Sequence, residues 1–195
     1  MAMIKSALDL ALERTKDIAS DKASLRAKET KERGMRLFSQ IYDSPDFDAA
    51  QEITKAPKED QEQLRRGLFQ TALTRLQLPQ TEAALHDLPA VTRALIATGA
   101  EASAATQIMD QLQSLFDRYL QDRDQLYNAV VQQYTPVLRQ KEQQLAQQTG
   151  RKVTLTPEQD PEFQKYFKQN LDQLEEQYQQ MVDQARSQLQ TLTGL

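Results

Sequence analysis

The chain contains no cysteine and no tryptophan, one histidine, five glycines and seven prolines in 195 residues. Without cysteine there is no disulfide, no thiol nucleophile and no thiolate metal ligand, and the redox compartment stays open. The single histidine, His86, has Glu82 one turn earlier and Asp87 beside it. A zinc site normally needs three or four ligands, so a surface histidine next to Pro89 is the plainer reading. The glycines, at 34, 67, 99, 150 and 194, are scattered, which leaves no Gly-rich phosphate loop. They are also too few for the turns of a sheet protein of this length.

Long apolar runs are absent too. No window approaches the roughly 18 apolar residues of a membrane span. Lys5 and Asp9 interrupt the apolar residues between Met1 and Leu12, which does not read as a secretory signal, so the cytoplasm is the expected compartment. Neither sign of charge dominates strongly: 24 Lys and Arg against 28 Asp and Glu give a net charge of −4. Attraction to nucleic acid or to an anionic membrane is therefore not a property of the whole molecule, and would have to be local.

Helix-forming residues fill the space left by these absences. Glutamine occurs 29 times, 22 of them from Gln107 onward, with Ala, Leu, Glu, Lys and Arg supplying much of the rest. At 39% hydrophobic and 6% aromatic, the composition supports narrow helix seams better than a thick core. The Gln-rich part is not a low-complexity tract, because apolar residues interrupt it at helical intervals. It specifies a polar, weakly charged exterior suited to packing or to hydrogen-bonded contact with another chain. The expected fold is all-α and elongated.

Three parts follow along the chain. Residues 1–44 read as one long helix, or two with a soft joint at Gly34, with Ile4, Leu8, Ala11, Ile18 and Leu25 on one stripe. It ends at Ser44-Pro45, since the residue before proline is pushed out of the α region. Its middle is rich in charge, and Glu29 with Arg33, and Glu32 with Arg36, have the favourable acid-first i,i+4 order. This helix is expected to pack on the rest of the chain or on a second copy.

Residues 45–99 read as a cluster of short helices punctuated by Pro45, Pro57, Pro79 and Pro89 and closed by Gly99. Pro57 followed by Lys58-Glu59-Asp60 marks a helix start, and Leu64, Leu68, Phe69, Ala72, Leu73 and Leu76 give that helix an apolar face running to Leu78-Pro79. Gly67 is expected where two helices approach closely.

Residues 100–195 read as a long antiparallel helical hairpin with its turn at 150–160. The first arm carries Ile108, Leu112, Leu115, Tyr119, Leu126, Val130, Tyr134, Val137 and Leu145, with Arg123 and Lys141 at the two missing steps. The stripe keeps phase through Pro136, which predicts a kink and not an end. Gly150 stops the arm, Val153-Thr154-Leu155 is extended, and Thr156-Pro157 or Asp160-Pro161 opens the second arm. Phe163, Phe167, Leu171, Leu174, Tyr178, Met181, Ala185 and Leu192 continue it in near-heptad order. Counting outward from the turn sets Leu192 opposite Tyr119 and leaves residues 101–117 to be covered by the short-helix cluster.

No catalytic residue, metal ligand set or cofactor site stands out. There is no Ser elbow and no zinc helix. Asp43, Asp46 and Asp48 lack the Gly and distal Glu of a calcium loop and suit helix capping. Two sets of residues are candidates for partner contact. Glu158, Asp160 and Glu162 form an acidic group at the hairpin turn that could meet a basic partner. Lys22, Arg26 and Lys28 belong to a run of eight basic residues between 14 and 36, interspersed with acids. The leading expectation is a non-catalytic helical interaction protein, an adaptor, scaffold or chaperone-like accessory, that engages a protein partner or itself. The alternatives are peripheral membrane or nucleic-acid binding through the basic amphipathic N-terminal helix, and a hydrolase with converging carboxylates. No small-molecule substrate is expected.

Overall fold

The computed structural model describes the backbone of residues 7–195 and the side chains from Lys22 onward, Ala23 excepted. The described residues are all-α: six α-helices, two short 3₁₀ turns and no strand. The expected positions Ile4, Leu8, Ala11 and Ile18 lie outside the described side chains. The helices are α1 (Ala7–Asp43), α2 (Ala49–Lys55), α3 (Lys58–Thr74), α4 (Leu88–Ala97), α5 (Ala102–Thr149) and α6 (Pro161–Thr193). They assort into two compact units that do not follow chain order. The first comprises Met1–Leu76, Asp87–Gln107 and Gln188–Leu195, and the second Gln77–His86 and Ile108–Ser187.

In the first unit α1 is continuous through Gly34, so that glycine is no joint. It is a crossing point. A Cβ built on Gly34 would lie 2.2 Å from the carbonyl oxygen of Leu64, and one on Gly67 would lie 2.0 Å from that of Lys31. Only hydrogens can occupy the space between these backbones. The two helices run parallel: Arg26 meets Glu59 and Asp60 at the start of α3, and Gly34 meets Leu64 further along both. The chain must therefore travel back between them, and α2 with its flanking turns does so. Asp48 caps α2 by accepting from the Gln51 amide at 2.9 Å. At the other end, Arg93 of α4 donates to the carbonyl of Ile41 at 2.8 Å, one of the last carbonyls of α1 that has no partner within its own helix.

Phe38, Ile41, Ile53, Leu64, Leu68, Ala72, Leu76, Val91 and Leu95 are among the buried apolar residues of this unit. Each large aliphatic or aromatic side chain among them contributes about 1.5–3 kcal/mol by leaving water. Helix α3 ends at Thr74, earlier than the prolines alone suggest, and Leu76 still turns inward. The same-helix pairs Glu29–Arg33 and Glu32–Arg36 are not among the ion pairs of the described residues; in that stretch Arg26 instead reaches across to α3. Gly99, at φ 106°, makes the reversal into α5.

In the second unit α5 and α6 lie antiparallel and face one another through rings. Tyr119 meets Tyr178 edge-on at 5.3 Å, and Tyr134 meets Phe163 at 5.4 Å. Tyr127 packs edge-on against Phe163 and Phe167. Leu78 and Leu85, from the segment preceding α4, pack with Leu115 and Leu174 against the Tyr119, Leu120 and Tyr178 cluster. Pro136 lies inside an unbroken α5.

The register differs from the one counted across the turn. Tyr119 is opposite Tyr178, fourteen residues short of Leu192 and so about 21 Å short along α6. The connection at 150–160 causes the offset. After Gly150, at φ 66°, the chain does not cross directly to α6 but runs back beside the end of α5. The Leu155 amide donates to Glu142 at 2.8 Å, and Lys141 reaches Asp160 at 2.6 Å. The start of α6 is thereby carried to the level of Tyr134, and the final turns of α5 are accompanied by the connection instead of by a helix. Leu115, expected to be covered by the short-helix cluster, packs in one group with Leu78 and Leu85 of that segment and with Leu174 and Tyr178 of α6.

The buried set on α5 is also broader than the single stripe. It takes in Met109, Phe116 and Leu120, and Leu138 is 6% exposed whereas Val137 is 37% exposed.

Candidate functional site

Of the acidic residues 158, 160 and 162, Asp160 is turned inward on the hairpin, while Glu158 and Glu162 stay exposed and bond to groups of α5. Pro161 opens α6, and the Asp160 carboxylate caps it by accepting from the Glu162 amide at 2.9 Å. That fixes Asp160 beside Lys141, at one of the two steps where the α5 stripe lacks an apolar residue. The Lys141 ammonium lies 2.6 Å from Asp160 and 2.7 Å from Glu162, and the Tyr134 hydroxyl lies 3.3 Å from both carboxylates. The Tyr127 hydroxyl donates to Glu158. Asp160 is only 5% exposed, so a charge at that depth needs its cation. Lys141 holds both Asp160 and Glu162 below the usual carboxylate range, and they in turn raise the lysine. Glu158 is lowered by the Tyr127 hydroxyl.

Arg123 fills the other missing step and donates to the carbonyl of Gln80 at 2.8 Å. Further along the seam Tyr119 donates to Glu175 at 3.1 Å and Tyr178 to Asp122 at 2.5 Å. Burial, then the neighbouring carboxylate, pushes both phenols up to about 12. The charged and phenolic groups of the hairpin interior are thus spent on holding the arms in register.

The basic candidates lie in the first unit. Lys22 and Lys28 are exposed, while Arg26 is engaged by Glu59 at 2.6 Å and Asp60 at 3.1 Å. His86 is exposed on the 3₁₀ turn Glu82–Asp87. Among the described residues no group of three or more His, Cys, Asp or Glu could hold a metal ion, and no helix is long and apolar enough to cross a membrane.

Two outer features escaped the sequence reading. One is an open groove of about 520 Å³ between the 77–80 segment and α6, lined by Gln77, Gln80, Asp172, Glu175, Glu176 and Arg186 among others. Asp172, Glu175 and Glu176 stand at i, i+3 and i+4, a spacing that marks one helix side and was legible as such. The other is an exposed row along one side of α6, whose first member, Tyr166, donates to Gln133 of α5 at 3.3 Å. Tyr166, Gln169, Gln173, Gln177, Gln180 and Gln184 follow one another at steps of three and four residues, and all are exposed. Met181, 49% exposed, lies at its edge. The row spans about 27 Å without a charged side chain.

Residues 50–191, nearly three quarters of the chain, match a protein family of unknown function (DUF6657). The chain belongs to this family. The matched range takes in α3 to α5 and nearly all of α6, so the hairpin and the segments packed on it fall inside the family region. No curated protein and no solved structure matches.

Proposed function

We propose that the protein is a non-catalytic interaction protein of the cytoplasm, and that it presents the exposed Tyr166–Gln184 row of α6 to another protein chain. The observation that carries this is the uncharged row from Tyr166 to Gln184 in a chain with 27% charged residues. An amide side chain carries both donors and an acceptor, so a facing chain can satisfy it with either kind of polar group. Removing water from an amide also costs far less than removing it from a charge. Tyr166 and Met181 add apolar area, and methionine adapts its shape to a partner. The inner face supports the same reading, because Lys141, Asp160, Asp122 and the phenols of Tyr119 and Tyr178 are committed to the seam.

The test uses the full chain and the double variant Gln173→Glu, Gln180→Glu, which keeps good helix formers at exposed positions and places like charges in the row. Mass by light scattering and capture from a lysate are compared for the two proteins. The reading expects a dimer, or a defined captured chain, that the variant loses while its helix content stays unchanged. A monomer with the same capture pattern in both proteins overturns it.

A further inference from the structure

A second feature, in the first unit and independent of the α6 face, has the chemistry of a small-molecule site. At the C-terminal end of α1 a cleft of about 320 Å³ is lined by Phe38, Ser39, Tyr42, Asp43, Arg75 and Asp87. That volume lies at the lower end of the range for ligand sites. Phe38 is buried and forms the floor, and the Arg75 guanidinium sits over its ring, 5.5 Å from the centroid. Tyr42, 52% exposed, forms part of the wall. Arg93 steadies the same end of α1 by its bond to Ile41.

The ionised groups of this cleft do not neutralise one another. Among the ion pairs of the described residues none involves Arg75, Asp43 or Asp87, although opposite charges line one cavity. The ring holds the guanidinium in place by cation–π attraction, which leaves its N–H groups free to take a planar carboxylate in bidentate fashion. The two carboxylates favour a cation, and the carbonyl end of α1 adds partial negative charge on their side. Separated charges of both signs in one cleft match a ligand that carries both. The lining totals one cation against two anions, so the best match has one carboxylate and two cationic groups.

We propose that this cleft binds a basic amino-acid moiety, its carboxylate on Arg75 and its cationic groups toward Asp43 and Asp87. A free basic amino acid carries all three charges and the C-terminal residue of a peptide keeps the carboxylate and the side-chain cation, and the test separates them. The full-length protein, labelled with ¹⁵N, is titrated with L-lysine, with Nα-acetyl-L-lysine, which resembles a peptide C-terminus, and with cadaverine, which lacks the carboxylate.

Saturable amide shifts confined to residues 38–43, 75 and 87 are expected with L-lysine. Weakening of about tenfold or more is expected for cadaverine and for Arg75→Gln, and similarly for Asp87→Asn, as befits loss of one charge-assisted contact. Arg75→Lys should retain part of the affinity. Equal binding of the acetylated compound assigns the site to a peptide terminus, and weaker binding assigns it to the free amino acid. The proposal is overturned if L-lysine and its acetylated form give no saturable shift at millimolar concentration. It is equally overturned if Arg75→Gln and Asp87→Asn, shown by their spectra to be folded, bind as the parent does.

Discussion

Replacing Gly34 by alanine is expected to destabilise the first unit, against the intrinsic preference of the helix. In an ordinary helix interior the change favours folding by about 1 kcal/mol. Here the new methyl would sit 2.2 Å from the Leu64 carbonyl oxygen and 2.9 Å from its Cα. Carbon–oxygen contacts between close helices settle at about 3.3–3.6 Å, so the backbones must part by about 1 Å. The obstacle is backbone, and no flexible side chain can swing aside. A gap of that size removes a quarter to a half of the dispersion energy of each pair it opens, and Phe38, Ile41, Leu64, Leu68 and Ala72 are among the buried side chains of α1 and α3.

Overpacking of this kind costs about 1–3 kcal/mol, occasionally more. Rigid backbone favours the upper end, so the net loss after the propensity gain is about 2 kcal/mol. For a unit of this size that lowers the melting midpoint by on the order of 10 °C. Circular dichroism melts measure the loss, and hydrogen exchange should place it in residues 30–41 and 60–72. Ser24→Ala, at an exposed position of the same helix, serves as the control and should change stability by less than about 0.5 kcal/mol. The double change Gly34→Ala, Gly67→Ala should cost less than the sum of the single ones, because one separation relieves both contacts. A Gly34→Ala protein as stable as the parent would refute the close approach of α1 and α3.

Three further outcomes follow from the hairpin. The depressed Asp160 and Glu162 carboxylates contribute stability that is complete above their ordinary values, near pH 4, and is lost as pH falls through their lowered folded-state values. Hydrogen exchange across residues 150–162, corrected for intrinsic rates, should therefore rise below about pH 4 before the rest of the hairpin opens. Lys141→Met should produce the same loosening at neutral pH, read as faster tryptic cleavage at Arg151 and Lys152, and an unchanged rate would refute the role of Lys141 in holding the connection. The raised Tyr119 and Tyr178 phenols stabilise the hairpin fully below about pH 10 and progressively less as pH rises toward about 12. Ultraviolet titration should show Tyr119 and Tyr178 ionising late, with Tyr127 and Tyr134 also raised, and Tyr119→Phe and Tyr178→Phe should each remove one late step.

Much of the architecture was legible because it rests on local chemistry. Proline and glycine positions mark the helix ends at Asp43, Lys55, Ala97 and Thr149, and the continuity of the apolar phase carries α5 through Pro136. Gly67 was readable as a close approach. Gly34 was not, because a glycine inside a helix looks alike from sequence whether it bends or crosses, and only its neighbour decides.

The hairpin register was illegible for a similar reason. The turn residues announce that the chain reverses, but not that residues 150–160 fold back along α5 before α6 begins. The evidence for that path lay in Lys141, a charge on an apolar stripe, whose meaning depends on Asp160 arriving beside it. The burial of Asp160 was missed with it. Gln173, Gln177, Gln180 and Gln184 were visible as composition, and became a row only once Tyr178 and Phe163 fixed which side of α6 is buried.

The alignment of the two long helices is best tested by nuclear Overhauser contacts between ring protons in the full-length chain. The account expects direct contacts from Tyr119 to Tyr178 and from Tyr134 to Phe163. Contacts from Tyr119 to the methyls of Leu192 in their place would mean a straight crossing at the turn, and would contradict both the folded-back connection and the face assigned to α6.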